Sequence, residues 1–259
     1  MNKRKKIAII VPICLLFVIG LTFLIGFIPT FNLKTENMIL LSGKWVNVYY
    51  ETEEAAAKDV FNYLEQETES ITKKLGFTEK QDIYVYIYDN QYTMQTKKYG
   101  YFGPMFDLGW YVGDNIGTNV ILTSPANPGP EHDYDNNKST SLHEVVHALV
   151  SVKNKNIDLW LTEGVALYLS NGQNFYKDLL DIGVPSYANT CSNSPITFSN
   201  SLGYAYANIY IEYLDVTYGW DKVLELIETE DYQQCFGKSK RAIYDEWINY
   251  LYNYPEQQM

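Results

Sequence analysis

The rhythm of hydrophobic and polar positions changes three times along the chain. Residues 7–29 form one uncharged apolar run behind Lys3, Arg4, Lys5 and Lys6. A helix of about 22 residues rises about 33 Å, which matches a bilayer core of about 30 Å. Pro12 near one end is tolerated in such a helix. Residues 1–30 are therefore expected to be a basic cytoplasmic tip and a transmembrane signal anchor. The basic cluster predicts that the rest of the chain lies outside the cytoplasm. A cleaved signal peptide is the alternative, but no small-x-small site follows in "GFIPTF". Residues 31–43 read as a tether.

Alternation then takes over. "KWVNVYY" (44–50) reads as a strand. "EEAAAKDVFNYLEQETESITKKLG" has helical spacing and stops at Gly76. In "DIYVYIYDN", Ile83, Val85 and Ile87 share one side of a strand, and Tyr84, Tyr86 and Tyr88 the other. Glycine- and aromatic-rich turns follow over 100–113. "TNVILTSP" is a further strand, ended by Pro125, and "ANPGPEHDYDNN" is a loop.

From there helical periodicity dominates, over about 139–152, 158–170, 203–217, 220–228 and 238–252. Strands gather in the first half and helices in the second. That order predicts an α+β fold with a small mixed sheet and a long helix, then a helical part, not a doubly wound parallel sheet. Residues 44–253 read as one domain.

Charge narrows the partners. The formal net charge is −11, and without the four basic residues of the tip it becomes −15. An acidic body disfavours nucleic acid and other polyanions. The 24 tyrosines suit half-buried rings whose hydroxyls reach water, or a sticky binding face. Outside the apolar run only Cys191 and Cys235 remain; they pair in an oxidising space or stay as two lone thiols.

The chemistry lies in "SLHEVVHALV" (141–150), which holds two of the three histidines. Residues four apart on a helix project side by side, so His143 and His147 can reach one cation. Glu144 points away from His147, too far round to ligate but near enough to hold a water. That is the logic of H-E-x-x-H zinc hydrolases. A catalytic Zn2+ needs a third ligand and an open position. No histidine follows His147, and His132 sits in an acidic loop. The remaining candidate is Glu163 in "LWLTEGVALYLSN", a carboxylate among apolar residues that is costly unless paired or metal-bound.

"HEVVH" followed by "WLTEGVALYL" resembles the glutamate-zincin (gluzincin) metallopeptidases, in particular their peptidase MA-like domains. The resemblance covers about residues 44–252. It implies a zincin-like fold, zinc as cofactor, a peptide or protein substrate, and His143, His147 and Glu163 as ligands. It also implies Glu144 as general base. "GYAYANIYIEYLDVTYG" resembles the next helix of those domains, which makes Tyr204 a candidate oxyanion donor, with Tyr206 and Tyr210 as rivals. In the resembling folds the strand before the zinc helix is a sheet edge, so residues 119–122 either bind an extended peptide or form a plain interior strand. The G-x-M-E-N stretch of the aminopeptidase branch is missing, which favours endopeptidase over exopeptidase chemistry.

The resulting expectation is a membrane-anchored, extracytoplasmic zinc peptidase. Its rival is an anchored scaffold whose zinc is structural or whose activity is lost. Two smaller expectations complete the reading: Ser139 as a helix N-cap, and "NKS" (137–139) as a glycan acceptor in a eukaryotic secretory pathway. Specificity is assigned to the loop over 172–202.

Overall fold

A computed structural model describes residues 3–106, 108–170 and 178–254, with side chains of the first helix described from Ile13 onward. The chain opens with α1 (Lys3–Gly26) and a 3-10 turn (Ile28–Phe31). There follow β1 (Ile39–Ser42), β2 (Val46–Tyr50), α2 (Glu54–Lys74), β3 (Ile83–Tyr88) and α3 (Gln91–Tyr99). A second 3-10 turn (Gly100–Phe106) leads to β4 (Gly113–Ile116) and β5 (Asn119–Thr123). The rest is helical: α4 (Tyr134–Lys153), α5 (Leu159–Leu169), α6 (Leu179–Ile182), α7 (Tyr187–Thr190) and α8 (Pro195–Asn200) come first. They are followed by α9 (Gly203–Tyr218), α10 (Trp220–Thr229), α11 (Tyr232–Phe236) and α12 (Lys240–Tyr252).

The architecture is α+β, built on a mixed five-stranded sheet of order β1-β2-β3-β5-β4. The three central strands run parallel, and β1 and β4 are antiparallel edges. Helical crossovers explain the parallel pairs, because a parallel neighbour needs a long return connection. Alternation along β3 sorts its side chains. Ile83, Val85 and Ile87 join the main core with α2, α4, α5 and α9, while Tyr86 and Tyr88 pack on the other face with Met94 of α3. Tyr49 stacks on Tyr86 with ring centroids 5.3 Å apart, and Tyr88 donates to Leu33 O at 2.6 Å. Tyr86 and Tyr88 are more deeply buried than the expected half-buried rings, and the Tyr88 hydroxyl meets a backbone carbonyl, not water.

The expected transmembrane helix is corrected. Among the described residues no helix is long and apolar enough to cross a membrane. The extracytoplasmic, single-pass location rested on that helix and is withdrawn with it. The lower end of α1 instead meets the body: Phe23 stacks on Phe102 at 5.5 Å, and Phe27 lies 5.8 Å from the same ring.

Three local readings also change, and one open alternative is decided. Residues 39–42 of the expected tether form β1 and pair with β2. The strand over 119–123 is interior, flanked by β3 and β4; the edge is β4, which starts at the last residue of the expected turns and runs into residues given no expected element. Helix α4 starts five residues before Ser139, capped by Asp133, whose side chain accepts from Asn136 N–H. Asn137 is fully buried and donates to Thr123 O at 3.0 Å, which ties α4 to the end of β5 and leaves no surface for a glycan. Cys191 is exposed and Cys235 buried, and both are free thiols.

Candidate metal centre

Helix α4 is buried along nearly all of the stretch 141–150, with Leu142, Val145, Val146, Leu149 and Val150 in the core. Its open side carries the two histidines. Their rings lie edge to face, 4.6 Å apart, with the Nε2 atoms 3.0 Å from one another. His147 Nδ1 sits 2.9 Å from Thr162 Oγ1. With the hydroxyl accepting from Nδ1–H, the lone pair of Nε2 is left for a cation.

Helix α5 returns beside α4 after a short turn. Glu230 clamps that turn: it accepts from Asn154 Nδ2 at 2.9 Å and from Asp158 N–H at 3.0 Å. Gly164 then lets α5 approach α9 backbone to backbone, since a Cβ there would lie 2.6 Å from Ala207 O. The result points Glu163 at the histidines. Its Oε2 lies 3.4 Å from His143 Nε2 and its Oε1 3.6 Å from His147 Nε2.

The donor set fits a metal ion on three counts. The ligand atoms of His143, His147 and Glu163 all lie within 4.8 Å of one another. Tetrahedral zinc with bonds of about 2.0–2.1 Å needs donors about 3.3 Å apart, and the observed spacings bracket that value. Glu163 Oε2 is buried without a hydrogen-bond partner, a costly state that a cation relieves. Burial raises the Glu163 pKa, but the neighbouring imidazoles of His147 and His143 outweigh it and hold the carboxyl well below the usual range.

Glu144 stands apart from this group, as its position on the helix requires. It is only 8% exposed, and burial pushes its pKa up to about 8, against the attraction of His143 and with the repulsion of Asp114 and Glu163. Tyr204 borders the same space. It is 40% exposed, its ring packs edge-on against Phe198 at 4.9 Å, and burial followed by the charges of Glu163 and Glu144 raises its pKa. Leu202 at φ +59° starts α9 in the left-handed region, a conformation costing about 1–2 kcal/mol. Gly203 admits the Phe198 ring where a Cβ would meet it at 2.6 Å. Those two residues set the direction of Tyr204.

The rival tyrosines are occupied elsewhere. Tyr206 donates to Gly183 O at 3.0 Å, and Tyr210 is buried and donates to the Tyr232 hydroxyl at 3.1 Å. His132 is outside the cluster; its Nε2 lies 2.8 Å from Trp110 O.

Two cavities of about 530 Å³ and 730 Å³ meet at His143, Glu144 and Tyr204. Gly113 of β4 borders both. Of the loop expected to govern specificity, Pro195 and Phe198 line the first cavity and Ser199 the second, whereas residues 171–177 lie outside the described residues. Sequence reasoning missed β4, because a four-residue strand beginning with glycine has no legible alternation. It also missed Thr162, which carries no motif of its own.

The chain matches no known protein family and no curated protein.

Proposed function

We propose that this chain is a zinc-dependent peptidase of gluzincin type, an endopeptidase rather than an aminopeptidase. His143, His147 and Glu163 would hold the ion. The observation that carries the reading is the convergence of those three donors at a cleft that also contains a recessed carboxylate, Glu144, outside the ligand set. A structural zinc needs no such neighbour.

A zinc ion bound there supplies Lewis acidity towards a carbonyl and lowers the pKa of water towards about 7. The protein's own groups do the rest. Glu144, whose raised pKa would fall beside a bound cation, accepts the proton of the attacking water and passes it to the departing amine nitrogen, so the amine leaves neutral. The hydroxyl of Tyr204 donates to the carbonyl oxygen as negative charge develops on it. Thr162 holds the His147 ring. The edge strand β4 offers backbone groups to which an extended peptide can add as one more strand. Residues 119–122 cannot do this, because both of their edges are paired.

The test uses purified protein, metal analysis and an unstructured protein substrate. Wild type is expected to carry one zinc and to cleave. Glu144→Gln should retain the zinc and lose cleavage by about 10²–10⁴-fold. Cleavage by Glu144→Gln at the wild-type rate would sink the mechanism. A wild type that binds zinc yet cleaves no protein or peptide would instead identify a scaffold with a structural ion.

A further inference from the structure

The outward edge of β4 is not uniform. In an antiparallel pair, facing residues either exchange both backbone bonds or turn them away from one another. Thr123 N–H donates to Val112 O at 2.8 Å. The register pairs Asp114 with Ile121 and Ile116 with Asn119, so residues 112, 114 and 116 turn towards β5. Gly113 and Asn115 turn their N–H and C=O towards the cleft.

Those two positions differ. Asn115 is already satisfied: its N–H donates to Asp114 Oδ1 at 2.6 Å, and Lys98 Nζ donates to its carbonyl at 3.2 Å. Lys98 Nζ also lies 2.6 Å from Asp114 Oδ2, with both side chains about three-quarters buried. The Tyr111 hydroxyl donates to that same Oδ2. At Gly113 no described side chain takes either group. A Cβ on Gly113 would lie 3.2 Å from Glu144 Cγ and 3.0 Å from Thr140 Cγ2, so the open position is the one beside Glu144.

We propose that Lys98 and Asp114 are specificity-determining residues that cap the cleft edge at Asn115. A peptide adding to β4 pairs at Gly113 alone and must leave the strand direction before Asn115. The favoured substrate class is therefore short or turned peptide segments, not long extended strands. Displacing the cap would exchange charge-assisted bonds for ordinary backbone ones, which is unfavourable. The inference rests on the cleft being a peptide site.

The experiment uses the full chain carrying Glu144→Gln, loaded with zinc, and labelled unstructured peptides, short and long, followed by fluorescence anisotropy. With the cap intact, affinity is expected to stop rising with length. In Lys98→Met the long peptides should gain about two- to tenfold, the worth of one restored backbone bond. Lys98→Arg should keep the cap and the flat profile.

Amide hydrogen exchange on the unmutated protein needs no variant to fold. The Asn115 amide should exchange slowly without peptide, and the Gly113 amide fast until peptide is added. An unchanged length profile in well-folded Lys98→Met, or an Asn115 amide as fast as that of Gly113, overturns the cap while leaving the peptide site standing. If no peptide binds any of these proteins, the peptide reading itself fails and the cap falls with it.

Discussion

The two nitrogens of His147 face different partners, and the difference decides what the ring can do. Nδ1 meets the Thr162 hydroxyl and Nε2 faces His143 and Glu163. Removing the hydroxyl while keeping the shape should free the ring to rotate and to change tautomer. Thr162→Val is therefore expected to weaken zinc binding about tenfold, read by competition with a chromophoric chelator, with the circular dichroism spectrum unchanged. At this scale the sequence was most legible where chemistry and spacing coincide. Helical spacing alone places His143 and His147 side by side, as they are found. Asn137 shows the opposite case: the string "NKS" suits a surface acceptor, yet the side chain is buried and bonded to Thr123 O. Nothing local distinguishes the two outcomes, because the deciding partner lies 14 residues away.

Elements were legible in kind and less so in neighbourhood. The long helices and the three central strands follow their periodicity. Strand order does not, since a strand of alternating or continuous apolar residues reads the same at an edge or inside a sheet. The consequence is concrete: the backbone left unpaired at this end of the sheet belongs to β4, not β5. The pairing of α5 with α9 is equally a matter of contact. Gly164→Ala places a Cβ 2.6 Å from Ala207 O and 2.8 Å from Ile211 Cγ1. Helix α5 must then move away, taking the adjacent Glu163 with it. A loss of about 1–3 kcal/mol in urea unfolding is expected, together with weaker zinc retention. A variant as stable as wild type would show that the close approach is not needed.

For the molecule as a whole, the proposed ion ties the α4–α5 pair to itself. A ligand bound only by the folded state adds RT ln(1 + [L]/Kd), about 2.7 kcal/mol when free zinc is 100 times Kd. For a domain of this size that corresponds to about 5–10 °C in melting temperature. Chelation should remove that increment in wild type and leave His143→Ala, which lacks a ligand, unmoved in differential scanning calorimetry. Equal shifts in both proteins would place the effect elsewhere. The apolar N-terminal run is the largest revision at this scale. Hydropathy suggests a membrane span, yet among the described residues no helix is long and apolar enough to be one, and Phe23 and Phe27 pack on Phe102 of the body.

What the sequence determined by itself is local. Periodicity set the major helices and strands, and the four-residue spacing of His143 and His147 placed two candidate ligands on one side of a helix. Tertiary structure decided what depends on contacts between distant residues. It brought Glu163 to within 3.4 Å of His143, made β4 rather than β5 the edge, and set Lys98 of α3 against Asn115. The physical reason is range. Helix and strand spacing act over a few residues of chain, whereas edge, partner and enclosure are properties of whichever surfaces meet when the core closes.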